Sequence, residues 1–199
     1  MRSGRFLTIA ALLLAVFMLQ GCAGFRSNRL PQLTAEQIHF SSTPKTRVFS
    51  RWNLVIASGK TISDNARVAS SAIIKKNFET AINASGCCVI VERLDQADVV
   101  VDGTRINENN PAALAAAMLT GLSLYTIPSW MTDTVHLTAT AKKGDKTTSY
   151  DVSDSMVMVQ WLPMALMFPF SGPFETEKSV TANTFSTLVV QMNNDGVFK

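Results

Sequence analysis

The sequence predicts an α+β domain with a mainly antiparallel sheet and two packed helices. Three observations predict this class: two stretches carry apolar residues at helical spacing, three are rich in Val, Ile and other strand-forming residues, and one alternates apolar and polar residues around a turn. The predicted order is β-α-β-β, an apolar helical segment, and then β-β-α. This single domain is predicted to occupy residues 48–199.

The first half of the domain is predicted to hold a strand, a helix and two more strands. Caps and turn formers separate these elements: Ser58-Gly59, Ser63 or Asp64, Gly86, and the polar connection Leu94-Asp95-Gln96. The predicted strands cover residues 49–58, 87–93 and 97–106, and the helix extends from its cap to about Ala84. One face of the helix carries apolar residues that we expect in the core, namely Ile74, Phe78, Ala81 and Ile82.

A hairpin and a final helix are predicted to complete the domain. The first hairpin strand alternates an apolar set, Val135, Leu137, Ala139 and Ala141, with a polar set, Thr134, His136, Thr138 and Thr140. The turn Lys143-Gly144-Asp145 then leads into a strand over residues 147–152, so one hairpin face should be buried and the other solvated. The final helix is predicted over residues 175–193 and should bury Val180, Leu188, Val189 and Met192.

The N-terminus has the layout of an export signal that ends at a cysteine. Arg2 and Arg5 precede an uncharged apolar run, which is followed by Leu19, Gln20, Gly21 and Cys22. This layout resembles a bacterial lipoprotein signal peptide. The resemblance implies removal of residues 1–21, a diacylglycerol on the Cys22 sulfur and a fatty acyl chain, typically palmitate, on the freed amine.

A membrane-spanning helix is the alternative interpretation of the same segment. The apolar run over residues 6–21 is shorter than the roughly 20 residues that a bilayer requires, which favours the lipoprotein signal. Three fatty chains suffice for stable anchoring. In the lipoprotein family an acidic residue after the modified cysteine commonly signals retention in the inner membrane, and Ala23 stands there instead. We therefore expect a lipid anchor in the outer membrane of a Gram-negative bacterium, with the protein facing the periplasm.

Composition predicts a flexible tether after the anchor and excludes a nucleic-acid partner. Residues 22–47 are rich in Ser, Thr, Asn and Gln and contain Pro31 and Pro44, which is typical of a linker. Removal of Arg2 and Arg5 with the signal lowers the formal net charge from +3 to +1. The remaining basic residues form no sustained basic face, so nothing favours nucleic-acid binding.

Two long segments of the chain carry no charged residue. They cover residues 109–132 and 155–174, and three interpretations are open for them. They are buried core connections, or an exposed apolar surface that contacts lipid headgroups or another subunit, or membrane spans. Gly121, Pro128 and many hydroxyl residues weaken the third. If the segments form an exposed apolar surface, the expected contact residues are Tyr125, Trp130, Trp161 and Phe168.

The sequence predicts no catalytic residue, no metal ligand set and no cofactor. Its two histidines, His39 and His136, have no partner at metal-ligand spacing, and phosphate loops and nucleophile elbows are absent. Cys87 and Cys88 are the thiols that lipidation leaves over in an oxidising compartment. Three states are open for this pair: two buried inert thiols, a vicinal disulfide, or one exposed thiol available to a partner.

One part of the chain resembles a known periplasmic module. Residues 78–103 contain the helix end, Ser85-Gly86, a hydrophobic strand, a polar gap and the phrase Ala97-Asp98-Val99-Val100-Val101-Asp102-Gly103. This order is similar to the α/β module of TolB-type and curli-secretion-type lipoproteins, in which such a phrase forms a core strand. The resemblance implies a fold more than a function.

The anchor, the lack of a catalytic constellation and the uncharged segments together predict a non-enzymatic envelope lipoprotein that acts as a binding or assembly component. Its expected partners are the membrane and either a further protein or other copies of this chain. The resemblance to curli-secretion-type lipoproteins implies an alternative, a subunit or accessory of an oligomeric outer-membrane export complex. A small hydrolase or redox protein that uses His136 or Cys87-Cys88 is the third class.

Overall fold

The computed structural model describes residues 22–40, 43–57, 63–107, 111–167 and 170–199. Within them the strands are β1 (Cys22–Arg26), β2 (Thr46–Ile56), β3 (Cys88–Ile90), β4 (Val99–Asn107), β5 (Ser129–Lys143) and β6 (Lys146–Gln160). The helices are α1 (Ala35–Ile38), α2 (Asp64–Ser85), α3 (Pro111–Leu122) and α4 (Pro173–Asn194), with short 3-10 turns at Leu94–Gln96 and Leu162–Leu166. The predicted α+β class is confirmed.

The six strands are hydrogen-bonded in the order β1-β6-β5-β4-β2-β3. β4 pairs antiparallel with β5, and β1 pairs antiparallel with β6. β2 is parallel to both of its neighbours, β3 and β4. Helix α2 follows β2 in the chain and supplies the crossover connection that a parallel pair requires.

The chain divides into two compact units. Unit 1 consists of the described residues within Met1–Ser27, Asn110–Asp133 and Met156–Glu177. Unit 2 consists of those within Asn28–Asn109, Thr134–Ser155 and Lys178–Lys199. Cys22 and all but the first residue of each uncharged segment belong to unit 1, whereas the predicted helix and sheet core belong to unit 2.

The core of unit 2 is built around Trp52 on β2. Its ring lies 5.2 Å from that of Phe78 on α2 and 5.3 Å from that of Phe185 on α4. Trp52 is directly opposite Gly103 on β4, and a side chain at Gly103 would overlap with the Trp52 ring. The glycine that ends the Ala-Asp-Val-Val-Val-Asp-Gly phrase is therefore required for the packing of a cross-strand aromatic residue.

Most residues predicted for the core are buried in unit 2. The predicted set is Ile74, Phe78, Ala81 and Ile82 on α2, Val135, Leu137, Ala139 and Ala141 on β5, and Val180, Leu188, Val189 and Met192 on α4. Ser63 caps α2, because its hydroxyl accepts a hydrogen bond from the backbone N–H of Ala66. Gly86 ends the same helix in the left-handed conformation at φ 73°.

The segment predicted as a flexible tether contains regular structure. Residues 22–26 form β1, and Thr34 begins α1 with a reciprocal capping box that includes Gln37. In unit 2 the backbone amides of Arg29 and Leu33 donate to the side chains of Asp154 and Asn183. Polar composition indicated a linker, but these backbone groups have partners far along the chain.

The hairpin of β5 and β6 is longer than the alternating pattern predicts. Each strand has 15 residues, and the turn between them contains Gly144 at φ 57°. The alternation predicted strands within residues 135–152, whereas the observed strands extend from Ser129 to Gln160. Both extensions run into the uncharged segments, whose apolar residues obscure the alternation of a strand.

Candidate functional site

Cys22 is the first residue of a strand that is fixed on both sides within unit 1. Its Cα partner on β6 is Gln160, and two residues later the backbone N–H of Gly24 donates to the carbonyl of Ser171 over 2.8 Å. The Thr176 hydroxyl in turn donates to the Gly24 carbonyl over 3.1 Å. Cys22 itself is half-buried, and this burial raises the pKa of its thiol. The predicted signal residues Leu19, Gln20 and Gly21 lie outside the described residues.

Two tryptophans lie next to a row of three residues on adjacent strands, Cys22 on β1, Gln160 on β6 and Ser129 on β5. Gln160, opposite Cys22, accepts a hydrogen bond from the Ser129 hydroxyl over 3.4 Å. Trp161 directly follows Gln160, and Trp130 directly follows Ser129. Both indole side chains are exposed. Cys22, the residue predicted to carry the lipid, and the two tryptophans are therefore at the same end of the strands in unit 1.

The two uncharged segments present many large apolar side chains to solvent. We call the following exposed set of unit 1 the apolar surface: Met118, Leu119, Leu122, Leu124, Ile127, Trp130, Trp161, Leu162, Leu166, Met167, Phe170 and Phe174. Leu122 and Phe170 are each 83% exposed. The interpretation of these segments as buried core is wrong for these side chains. Among the described residues no helix combines the length and the hydropathy of a membrane span.

Helix α3 has its polar and apolar sides reversed relative to a helix that covers a core. Thr120 is fully buried, and its hydroxyl donates to the carbonyl of Ala116 over 3.1 Å. Met118, Leu119 and Leu122, which surround Thr120 in the sequence, are exposed. An amphipathic helix normally turns its apolar stripe inward, so these three large side chains contribute to a surface and not to a core.

The loop after α3 holds its apolar residues outward with an uncommon backbone. Leu124 and Tyr125 both have positive φ angles, 52° and 62°, which non-glycine residues seldom adopt. The Tyr125 amide donates to the carbonyl of Thr120, and its own carbonyl accepts from Leu162 over 2.8 Å. Tyr125 is half-buried, and the remaining predicted contact residue, Phe168, lies outside the described residues.

Unit 2 presents a polar depression on the sheet face opposite its core. Its volume is about 790 Å³. The residues that line it are Arg51, Asn53, Asp102, Gly103, Thr104, Thr138, Ala139, Thr140, Ser149, Tyr150 and Asp151. Gly103 and Ala139, which lie opposite each other on β4 and β5, turn toward the core and so contribute backbone to the depression. Hydroxyl, amide and charged groups surround this backbone, so the depression can accept several hydrogen bonds from, and donate several to, a polar ligand.

Two arginines of β2 pair with an aspartate of β4 and with one that directly precedes this strand. Arg51 lies opposite Asp102 and binds it through two hydrogen bonds of 2.6 and 2.9 Å. Arg47 binds Asp98 in the same two-pronged way. The hydrogen bonds from Arg47 lower the pKa of Asp98 to about 2. Sequence reasoning missed these pairs, although both arginines and both aspartates are four residues apart, the spacing that a parallel register brings into alignment.

His136 faces the same side of the sheet as the depression. Its Nε2 atom lies 3.0 Å from Oδ1 of Asp151 on β6. Tyr150, which directly precedes Asp151 in the sequence, is buried. This burial, together with the carboxylate of Asp195, raises the pKa of Tyr150 to about 12. Among the described residues no group of three or more His, Cys, Asp or Glu side chains could hold a metal ion.

Cys87 and Cys88 form a disulfide at the start of β3. Both are buried, so the pair corresponds to the vicinal-disulfide state and not to an exposed thiol. The hydroxyl of Ser85 donates to the Cys87 sulfur over 3.1 Å. The His39 ring packs against Gly86, where an added side chain would collide with it. These groups close the end of α2 and leave the disulfide without access to solvent.

Comparison with known proteins yields weak structural similarity and no sequence family. No family model matches the chain, and no curated protein matches it in sequence. A PelC dodecamer from Paraburkholderia phytofirmans has 12% identity and a TM-score of 0.37, covering 84% of this chain and 97% of that one. A hypothetical protein from Chlamydia trachomatis has 9% identity and a TM-score of 0.38, covering 75% and 96%.

A third solved structure has a similarly low level of similarity to this chain. A Xanthomonas campestris protein assigned to DUF330 has 12% identity and a TM-score of 0.33, covering 80% of this chain and 87% of that one. Similarity at this level transfers no function between proteins. The resemblance of residues 78–103 to TolB-type and curli-secretion-type lipoproteins stays a prediction, and the proposals below rest on residues of this chain.

Proposed function

We propose that this protein is a non-enzymatic lipoprotein of the bacterial envelope that is anchored in the outer membrane through Cys22 and faces the periplasm. Unit 2 then acts as a binding or assembly component through its polar depression. The N-terminal sequence carries the proposal, because Arg2 and Arg5 precede an uncharged apolar run that leads into Leu19, Gln20, Gly21 and Cys22.

The place of Cys22 in the fold supports modification at this residue. It is half-buried at the start of a strand, and its side chain takes no part in the disulfide of Cys87 and Cys88. β1 supplies its pairing through backbone atoms, which a thioether on the Cys22 sulfur leaves unchanged. The backbone pairing of β1 is therefore compatible with a lipid on the Cys22 sulfur.

The polar depression supports binding as the function of unit 2. Among the residues that line it, Arg51 is hydrogen-bonded to Asp102, Asp151 lies 3.0 Å from Nε2 of the neighbouring His136, and the other polar groups are mostly hydroxyls. Such a surface offers many hydrogen bonds without a strong net charge. We infer that it accepts a polar ligand or a polar segment of another envelope protein.

Metabolic labelling tests the anchor. Cells that express the full chain are grown with labelled palmitate, and we expect the mature protein to carry the label. Cys22→Ala should lose the label and accumulate as the unprocessed precursor. The matched control is the double variant Cys87→Ser with Cys88→Ser, which should keep the label, since these cysteines are not the modified residue. Normal maturation of Cys22→Ala would contradict the anchor.

Photocrosslinking tests the binding role separately. A photoreactive amino acid at Thr140, inside the depression, is compared with one at Ile73, an exposed apolar position on α2. We expect a discrete crosslinked species from Thr140 that is absent from Ile73. If the Thr140 variant is lipidated normally and gives no species beyond that of Ile73, the depression does not bind and the anchor claim is unaffected.

A subunit of an oligomeric outer-membrane export complex is the second candidate. The observation that favours it is the apolar surface of unit 1, because exposed large apolar side chains in such number often mark a contact with another subunit. The native mass of the detergent-extracted lipoprotein tests it. A ring-sized oligomer would support this candidate, and a monomer would reject it.

A further inference from the structure

We propose that the apolar surface of unit 1 lies in the headgroup layer of the membrane that holds the Cys22 lipid. The lipid chains and the apolar surface then form a double attachment, which fixes unit 1 against the bilayer. This inference rests on the proposed anchor at Cys22 and adds a partner, the lipid surface itself, to it. Four observations from unit 1 carry it.

The first observation is the absence of a spacer between the anchor and the fold. Cys22 is paired with Gln160, and Gly24 already touches the start of α4, where an added side chain would come within 2.8 Å of the Pro173 Cα. A lipid on Cys22 therefore emerges directly from a fixed strand. Unit 1 has to stand at the membrane surface, because no flexible linker lies between them.

The second observation is the position of the tryptophans. Trp130 and Trp161 each follow a residue of the row that contains Cys22, as the Ser129 to Gln160 hydrogen bond shows. Tryptophan prefers the boundary between lipid headgroups and acyl chains, because its ring is apolar and its N–H can hydrogen-bond. The side chains best suited to that boundary lie beside the residue that would carry the lipid.

The third observation is the charge pattern. Residues 109–132 and 155–174 contain no Asp, Glu, Lys or Arg, so the apolar surface brings no charged group of these segments into the lipid. Burial of an unpaired charge in an apolar medium costs several kcal/mol, and a surface that enters the headgroup layer avoids it.

The fourth observation is that the local fold exposes apolar side chains in ways that are unusual for a protein in water. Thr120 occupies the buried side of α3 while Leu119 and Leu122 are exposed, and Leu124 is held outward in a left-handed backbone conformation. None of the described helices is long and apolar enough to cross a bilayer. Interfacial elements of this kind enter to a depth of roughly 5–10 Å.

A fluorescent probe on a single introduced cysteine tests the proposal in the lipidated full chain. The chain has three cysteines, and lipidation of Cys22 together with the disulfide leaves the introduced thiol as the one free for labelling. Leu122→Cys and Phe170→Cys report on the apolar surface. Val68→Cys is the matched control, because Val68 is a large apolar residue of unit 2 that is 69% exposed on α2. Each labelled protein is reconstituted into phospholipid vesicles with and without brominated acyl chains.

We expect bromine to abolish most of the probe fluorescence at Leu122→Cys and Phe170→Cys, and none of it at Val68→Cys. Equal fluorescence with and without bromine at all three positions would overturn the proposal while the protein stays on the vesicles, so the anchor would stand. A blue-shifted probe that bromine does not quench, and whose shift grows with protein density, would also overturn it, because the surface would then be covered by a second copy of the chain.

Discussion

The two units of this protein place their large apolar residues in opposite ways. In unit 2, Trp52 is 4% exposed and packs between Phe78 and Phe185. In unit 1, Trp130 is 69% exposed, and α3 buries Thr120 while Leu119 and Leu122 face outward. Unit 2 buries its tryptophan in a core, whereas unit 1 exposes both of its own. This difference supports the proposed contact of unit 1 with a lipid surface.

The tryptophan pair gives the largest expected contrast between the units. Trp52→Ala removes a buried indole and should lower the free energy of unfolding by about 3–5 kcal/mol. Trp130→Ala should change it by less than about 0.5 kcal/mol, since its side chain has little to lose in the folded protein. Urea denaturation of the purified mature protein measures both. A large loss in Trp130→Ala would mean that the apolar surface is packed and not exposed.

A glycine pair sharpens the same contrast. Gly103→Ala places a methyl group against the Trp52 ring and should destabilise unit 2 by about 1–3 kcal/mol. Gly121→Ala in α3 has open space around it and should stabilise the protein by up to about 1 kcal/mol, because alanine favours a helix over glycine. Thermal unfolding of both variants gives the comparison. If both substitutions changed the unfolding temperature in the same direction, the packing described around Gly103 or around Gly121 would be wrong.

The ion pair of unit 2 gives a smaller effect that depends on pH. The pKa of Asp98 is lowered to about 2 in the folded protein and is about 3.9 in an unfolded chain. Its stabilising contribution is therefore complete above about pH 4 and is lost as the pH falls toward 2. Asp98→Asn should be less stable than wild type at neutral pH and should lose this difference in acid.

Arg47→Gln provides the control for this pH dependence. It removes the guanidinium that lowers the pKa of Asp98, so it should weaken the same acid-dependent step while the carboxyl group stays in place. Urea midpoints measured at several pH values test both variants. A constant difference between wild type and Asp98→Asn across this range would show that the pair does not stabilise the fold.

The sequence predicts much of unit 2, because its elements repeat one physical pattern. The helical spacing from Ile74 to Ile82 and the alternation from Val135 to Ala141 each indicate which face is buried, and the structure confirms both. It does not reveal the parallel pairing of β2 with β3 and β4, since the partners of a strand depend on contacts that are distant along the chain.

Unit 1 is harder to predict for a physical reason. An uncharged apolar segment is compatible with a core, a lipid surface and a subunit contact, and composition does not distinguish them. Only the reversed α3, with Thr120 inside and Leu122 outside, shows which side faces outward. In the same way β1 is too short and too polar around its ends for its sequence to show that Cys22 begins a strand.

Accessibility to a membrane-impermeant maleimide tests the central claim most directly. In the structure Leu122 is 83% exposed and Val68 is 69% exposed, so in the absence of a partner Leu122→Cys should react at least as fast as Val68→Cys. With the lipidated protein on phospholipid vesicles, we predict the reverse order: Val68→Cys reacts readily and Leu122→Cys is protected. Equal or faster reaction of Leu122→Cys on the membrane would contradict the membrane position of unit 1.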